Sequence, residues 1–255
     1  MNRTGGSVLP PPTEPPQLRA LHVILLHLAP GVVFTTFLIV ASRVFTEHGL
    51  TAYLAELIAI PVCLVPVLAA VVRLWSRRPG EGASIAQAIT YRQPGGVTDY
   101  LLLPVLLYAC WALCSLVVVP LTGLLETHLY GWFPAQLGTR AMVAGVASSP
   151  PGQRYATLVL AVLLSGGLAP LAEEAYFRGY LLPRMRRWGP FAPVANAFLF
   201  GLYHFFTPWN LPAVFVAFVP IAFVVQARKN FRIGLVVHAM FNLTGVLTLF
   251  LSGRT

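Results

Sequence analysis

The sequence predicts an all-α, polytopic membrane helical bundle with about seven transmembrane helices. Of its 255 residues, 57% are hydrophobic and only 10% are charged, whereas about a quarter of the residues in a soluble domain are charged. The mean hydropathy is +0.74, and several apolar runs are long enough to cross a bilayer. These runs are continuous rather than alternating, which argues against a membrane β-barrel.

Seven apolar segments follow one another, separated by polar or proline-containing stretches. We predict helices over 20–42, 52–75, 100–122, 156–176, 190–206, 211–227 and 232–252. The sixth is the weakest prediction, because Pro208 and Pro212 flank its start and Pro220 interrupts it. A re-entrant or short helix is the alternative for this segment.

Composition divides the chain into three regions. Residues 1–18 are rich in proline and are expected to be disordered. Residues 19–154 hold the N-terminal transmembrane helices and two long loops, 76–99 and 123–155. Residues 155–252 hold the last four spans and are expected to form the functional membrane core.

Basic residues indicate the orientation of the chain. The net charge is +9, but the basic residues lie mostly between apolar segments, which is typical of topology signals and not of a nucleic-acid-binding face. With the N-terminus in the cytoplasm, 13 basic residues fall on the cytoplasmic side and four on the other. We therefore expect an integral protein of the cell (plasma) membrane, with a cytoplasmic N-terminus, a lipid bilayer around it and no nucleic-acid partner. The cytoplasmic set is Arg3, Arg19, Arg73, Arg77, Arg78, Arg92, Arg178, Arg184, Arg186, Arg187, Arg228, Lys229 and Arg232, and the other set is Arg43, Arg140, Arg154 and Arg254.

Three polar clusters interrupt the apolar segments of the C-terminal half. They are Glu173-Glu174-Ala-Tyr-Phe-Arg178, Phe200-Gly-Leu-Tyr-His204 and His238-Ala-Met-Phe-Asn242. An ionisable side chain in hydrocarbon is costly, so its presence there is by default a functional hypothesis. Carboxylates, imidazoles and an amide are groups that can activate water and stabilise an oxyanion.

Helical geometry separates the two carboxylates of the first cluster. Glu174 and Arg178 are four residues apart and share a helix face, so we predict a structural ion pair between them. Glu173 is rotated by about 100° from Glu174, and its i+4 neighbour is Phe177. Glu173 is therefore expected to face the bundle interior as a free base. The alternative is that both carboxylates are interfacial and solvated.

The histidine clusters also have structural interpretations. A lone buried histidine such as His204 is more often a hydrogen-bonded structural residue than a ligand, and His238 with Asn242 could simply join two helices. Counting along the spans does not put Glu173, His204 and His238 at one depth. Either the helices tilt, or the glycine- and proline-containing stretch 166–170 breaks the fourth segment.

The remaining intramembrane polar residues are assigned structural or snorkelling roles. They are His22 and His27 in the first span and Glu56, which is expected near the outer end of the second span. No His-Glu-x-x-His helix is present in the sequence, and Ser165 lacks the context of a nucleophile elbow.

The three clusters, in this order on successive membrane segments, resemble the CAAX-protease and bacteriocin-processing (CPBP) family of intramembrane endopeptidases. The family pattern is Glu-Glu-x-x-x-Arg, then Phe-x-x-x-His, then His-x-x-x-Asn, and all three parts are intact here within residues 155–250. The resemblance implies a hydrolase that cleaves peptide bonds of membrane-associated protein or peptide substrates by glutamate-activated water.

The resemblance also implies a role for each catalytic residue. Glu173 would be the base that activates water, and His204 would orient or polarise that water. His238 and Asn242 would stabilise the tetrahedral oxyanion. Because the cavity must admit water, we expect it to open on the aqueous side nearer Glu173, which is the cytoplasm in the predicted orientation.

The cofactor and the functional class leave alternatives open. We favour metal-independent water activation without a cofactor, because Asn242 is a poor zinc ligand. The alternative is a zinc site made of Glu173, His204 and His238. Two other classes remain: a proton- or ion-coupled carrier that uses the same three residues as a relay, and a non-catalytic membrane scaffold or immunity factor.

Overall fold

The computed structural model describes residues 14–77 and 84–252, and in them the chain is almost entirely helical. These described residues contain no strand; an isolated bridge joins Arg92 to Asn230. The prediction of an all-α helical bundle is confirmed. The helices are α1 Ala20–Glu47, α2 Ala52–Trp75, α3 Thr98–His128, α4 Thr139–Ser148, α5 Pro151–Trp188, α6 Phe191–Tyr203, α7 Leu211–Arg228 and α8 Phe231–Ser252, and shorter helical turns cover Ile85–Ala88, Ala135–Leu137 and Pro208–Asn210.

In the described residues, six helices are long and apolar enough to cross a membrane, so the chain is an integral membrane protein. The predicted segment 190–206 is the exception, because α6 has only 13 residues and spans about 20 Å at 1.5 Å per residue. The predicted segment 211–227, for which a re-entrant or short helix was the alternative, forms the continuous helix α7, and Pro220 lies inside it. Since α6 ends at Tyr203, His204 follows a short helix instead of lying inside a long one.

Helix α5 continues through residues 166–170, where a break was one of two alternatives and helix tilt was the other. It covers 38 residues and is wound as a π-helix over Ala161–Leu168 and Glu174–Leu181. Glu173 lies in the short α-helical turn between these two stretches. Each π-helical stretch changes the direction in which the following side chains point, and such stretches are frequent at functional sites.

Close helix contacts bring the motif-bearing segments together. Helix α6 packs against α7 and α1, and α8 packs against α5 and α3. Gly31 of α1 lies against the backbone of Tyr203, and a Cβ at Gly31 would overlap the Tyr203 carbonyl oxygen. Helix α3 is peripheral: only Pro104 and Thr122 are buried in its α-helical part, so the rest of its apolar surface is available to lipid.

The bundle has two chemically different ends. At the arginine-rich end, Leu18 N–H donates to Arg184 O (2.9 Å) and Gln93 N–H donates to Lys229 O (2.9 Å). This end is formed by residues 84–96, 182–190 and 228–230. The opposite, arginine-poor end is formed by residues 48–51, 129–150 and 204–210.

The N-terminal region predicted to be disordered is described only in part. Residues 1–13 lie outside the described residues, and 14–18 have no regular secondary structure. The Gln17 side chain donates to Pro183 O (3.1 Å), and Glu14 pairs with Arg186. The hydrogen bond from Arg186 lowers the pKa of the Glu14 carboxyl. The described part of this region therefore rests against the end of α5.

Candidate active site

Glu174 and Arg178 form an ion pair inside the bundle. Arg178 Nη1 lies 3.1 Å from Glu174 Oε1, and both side chains have no exposed surface. The guanidinium group lies between two aromatic rings, 4.1 Å from the centroid of Phe200 and 4.6 Å from that of Phe218. Cation–π contacts of this kind stabilise a desolvated cation. The Phe-x-x-x-His motif thus packs directly on the Glu-Glu-x-x-x-Arg motif.

Glu173 has different partners. Its side chain is nearly buried, and its Oε1 accepts a hydrogen bond of 3.0 Å from the Tyr203 hydroxyl. Its Oε2 lies 3.6 Å from His238 Nε2. Among the described residues, neither an arginine nor a lysine pairs with this carboxylate. The two adjacent glutamates are therefore held by different groups, Glu174 by a guanidinium and Glu173 by a phenol.

His238 lies between the two carboxylates. Its Nδ1 is 3.2 Å from Glu174 Oε1, and its Nε2 faces Glu173. An imidazole with protons on both nitrogens would donate to both acids. Arg178 supplies one positive charge beside two carboxylates, so a protonated His238 would neutralise the group.

One ring nitrogen of His204 is engaged in a hydrogen bond. Its Nδ1 lies 2.7 Å from Phe200 O, which can only accept a hydrogen bond. This contact assigns the proton to Nδ1, so Nε2 of the neutral ring carries the lone pair. His204 lines a cavity together with Glu173, and Nε2 is the nitrogen that can accept a hydrogen bond from water there.

Asn242 is anchored to the first π-helical stretch of α5. Its Nδ2 donates to Ser165 O at 2.8 Å. An amide NH₂ has two protons and Oδ1 is an acceptor. One N–H of Asn242 therefore remains for a ligand, and the side chain lines the cavity.

All four predicted catalytic residues line one cavity of about 370 Å³: Glu173, His204, His238 and Asn242. Its other walls include Leu137, Met142 and Trp209, which belong to the arginine-poor end. The cavity therefore extends toward the arginine-poor end, because the short α6 puts the turn 204–210 in its wall. An opening on the cytoplasmic side was expected, and the side on which the cavity opens stays a prediction.

A second cavity reaches the same residues from the side of α3. It has a volume of about 730 Å³ and lies between α3, α7 and α8. His204, His238 and Asn242 line both cavities, whereas Glu126 of α3 lines only the second. These three residues, with others that line both cavities, therefore lie between the two spaces, and an extended chain could run from one to the other.

Three residues of the site were not predicted from the sequence to have a functional role. Tyr203 directly precedes His204, so its position in the second motif was the available signal. Gly234 is four residues before His238, and a Cβ there would overlap Glu174 Oε2. Glu56 was assigned a structural or snorkelling role, but it lines the same cavity as Glu173.

The side chains as they are arranged do not form a metal site. No group of three or more His, Cys, Asp or Glu side chains in residues 14–77 and 84–252 could hold a metal ion. Metal-independent water activation, with the zinc site of Glu173, His204 and His238 as its alternative, therefore stays a prediction, and no chemical step is assigned to a metal.

A glutamate, two imidazoles and an amide around a cavity in a membrane bundle are the groups expected of an intramembrane hydrolase. Residues 155–244 match the family described as Rce1-like, type II CAAX prenyl endopeptidase. The match contains all three motifs and confirms the resemblance predicted from them. These residues are, in this broad sense, similar to a CAAX-type protease. Comparison of the chain with curated proteins and with solved structures finds no match.

Proposed function

We propose that the protein is a CPBP-type intramembrane endopeptidase that cleaves membrane-associated proteins or peptides by glutamate-activated water. The observation that carries this proposal is the difference between two adjacent carboxylates. Glu174 is fully buried and paired with Arg178, whereas Glu173 lines the cavity and is held by Tyr203. Glu173 is therefore the carboxylate that can take a proton from water.

In the first step, water attacks the carbonyl carbon of the substrate peptide bond. Glu173 Oε2 accepts one proton of the water as the new carbon–oxygen bond forms. His204 Nε2 accepts a hydrogen bond from the other water proton and so orients the attacking lone pair. General-base assistance of this kind contributes about 10²- to 10⁴-fold in rate.

In the second step, the negative charge on the former carbonyl oxygen is stabilised and the intermediate collapses. The free N–H of Asn242 and the Nε2–H of His238 are the donors for this oxyanion. Donors that are already oriented are effective because they need no reorganisation during the reaction. The carbon–nitrogen bond then breaks, and the proton held by Glu173 passes to the leaving amine.

The surroundings of the site favour a membrane-associated substrate. The two cavities meet at His204, His238 and Asn242, and both have largely apolar walls. A chain anchored in the bilayer could lie across this junction. In a cell membrane with a cytoplasmic N-terminus, the arginine-poor end toward which the first cavity extends would face away from the cytoplasm.

The test is cleavage of single-pass membrane proteins by the purified protein in liposomes, with fragments identified by mass spectrometry. The proposal expects defined cleavage by the wild type and none by a folded Glu173→Gln variant. Cleavage that persists in this variant would overturn the role of Glu173. Absence of cleavage together with pH-dependent ion flux would instead support the carrier alternative.

A further inference from the structure

Glu56 is an acidic residue of the active-site cavity that the proposed reaction does not use. It belongs to α2, is half-buried, and lines the 370 Å³ cavity together with Glu173. Among the described residues, no hydrogen bond or ion pair engages its carboxylate. It differs in this from Glu173, which has Tyr203 and His238, and from Glu174, which has Arg178.

Much of the wall of this cavity is apolar or aromatic, including Phe34, Ile60, Leu64, Phe206 and Trp209. Neither an arginine nor a lysine is among the described residues that line the cavity, and its two histidines are engaged by Phe200 O and by the other two glutamates. An ionised carboxylate in such surroundings is costly unless a cation accompanies it. A ligand can supply that cation.

We propose that Glu56 is a specificity residue that binds the cationic side chain, lysine or arginine, of a substrate residue close to the bond that is cleaved. This inference rests on the proposed endopeptidase function and names a chemical class of substrate for it. The apolar walls suit the methylene stem of such a side chain, and the aromatic rings suit its charged end. Because Glu56 and Glu173 share one cavity, the bound side chain belongs to a residue near the attacked carbonyl.

The experiment uses the full-length protein in liposomes and a substrate whose cleavage site has been mapped. One position at a time, near the cleaved bond, is occupied by lysine, methionine or glutamate. Lysine and methionine are both long and unbranched, so their comparison isolates the charge. We expect the wild type to prefer lysine at one position by about tenfold or more in kcat/KM, since truncating one partner of a desolvated charge pair commonly has at least this effect.

Two variants of Glu56 separate recognition from a structural role. Glu56→Gln is expected to remove the preference, so that the lysine and methionine substrates are cleaved with equal kcat/KM. Glu56→Lys is expected to prefer the glutamate substrate. Acetylation of the substrate lysine side chain removes its charge and should also remove the preference; a preference that survives it would overturn the side-chain assignment.

The experiment distinguishes a failure of this inference from a failure of the proposed function. If the wild type cleaves no substrate, both fail. If it cleaves lysine and methionine substrates equally well, the protease function stands and the role of Glu56 is wrong. A Glu56→Gln variant that loses activity equally on both substrates would assign Glu56 a structural role and would also overturn the inference.

Discussion

The backbone of Gly234 in α8 lies directly against the carboxylate of Glu174 in α5. A Cβ atom at Gly234 would overlap Glu174 Oε2 and would lie 3.2 Å from Ile221 Cγ2. Oε2 is buried and has no hydrogen-bond partner among the described residues. The absence of a side chain at Gly234 thus lets the carboxylate sit where Oε1 meets both Arg178 and His238.

Gly234→Ala should lower the thermal stability of the purified protein. The added methyl group has to displace the Glu174 carboxylate, and inserting a group into a packed interior typically costs about 1–3 kcal/mol. Gly245→Ala is the matched control, because Gly245 lies on the same helix and a Cβ there meets nothing within 4 Å. Thermal unfolding in detergent should show a lower Tm for the first variant only. Equal Tm values for both variants would contradict the close contact.

Glu174→Gln should destabilise the protein, because it leaves the fully buried Arg178 without its ion-pair partner. Losing one member of a buried pair costs about 3–5 kcal/mol. Arg178→Gln should be similarly harmful, and the double variant should be less harmful than the sum of the two single changes. The remaining activity should be proportional to the amount of folded protein. A Glu174→Gln variant with wild-type Tm and no activity would show that Glu174, and not only Glu173, takes part in the chemistry.

The sequence predicted the helical class well because composition and run length are local properties. It failed at α6, since the residues up to Phe206 are as apolar as the helix itself. The helix ends because the chain turns at 204–210, where His204 has ψ 51° and Thr207, directly before Pro208, has ψ 62°. Apolar composition alone does not show such a turn.

Helix periodicity predicted the side-chain contacts of the candidate site only where both residues lie on one helix. The spacing of Glu174 and Arg178 predicted their pairing, because residues four apart share a helix face. The contacts of Tyr203 with Glu173 and of Gly234 with Glu174 join different helices. They depend on how far each helix is rotated, and the π-helical stretches of α5 change that rotation in a way that a period of 3.6 residues does not reveal.

Tyr203→Phe should lower kcat while the protein remains folded. The change removes the hydroxyl that holds Glu173 Oε1, and a hydrogen bond to a charged group contributes about 1.5–3 kcal/mol, which corresponds to about a 10- to 100-fold loss. Tyr176→Phe is the control, because its hydroxyl donates to Leu26 O (2.7 Å) and does not line the active-site cavity. This control should reduce Tm but keep kcat per folded molecule. If both variants lose the same activity, the hydrogen bond from Tyr203 to Glu173 has no specific role in catalysis.

Strong chelators should leave peptide cleavage unchanged. The described residues contain no group of three or more His, Cys, Asp or Glu side chains placed to hold a metal ion, and Asn242 is a poor zinc ligand. Purified protein should accordingly contain much less than one zinc ion per chain by elemental analysis. Activity that is lost on chelation and restored by added zinc would overturn metal-independent catalysis.

Labelling from one side of the membrane should show that the arginine-poor end, toward which the active-site cavity extends, faces away from the cytoplasm. The positive-inside rule assigns the arginine-rich end to the cytoplasm, and the cavity walls Leu137, Met142 and Trp209 belong to the opposite end. In a background in which Cys63, Cys110 and Cys114 are serine, Gln87→Cys at the arginine-rich end should react with an impermeant maleimide only after the cells are opened. Ser148→Cys at the other end should react in intact cells, and both positions are exposed in the structure. The reverse pattern would invert the orientation, and substrates would then have to reach Glu173 from the cytoplasm.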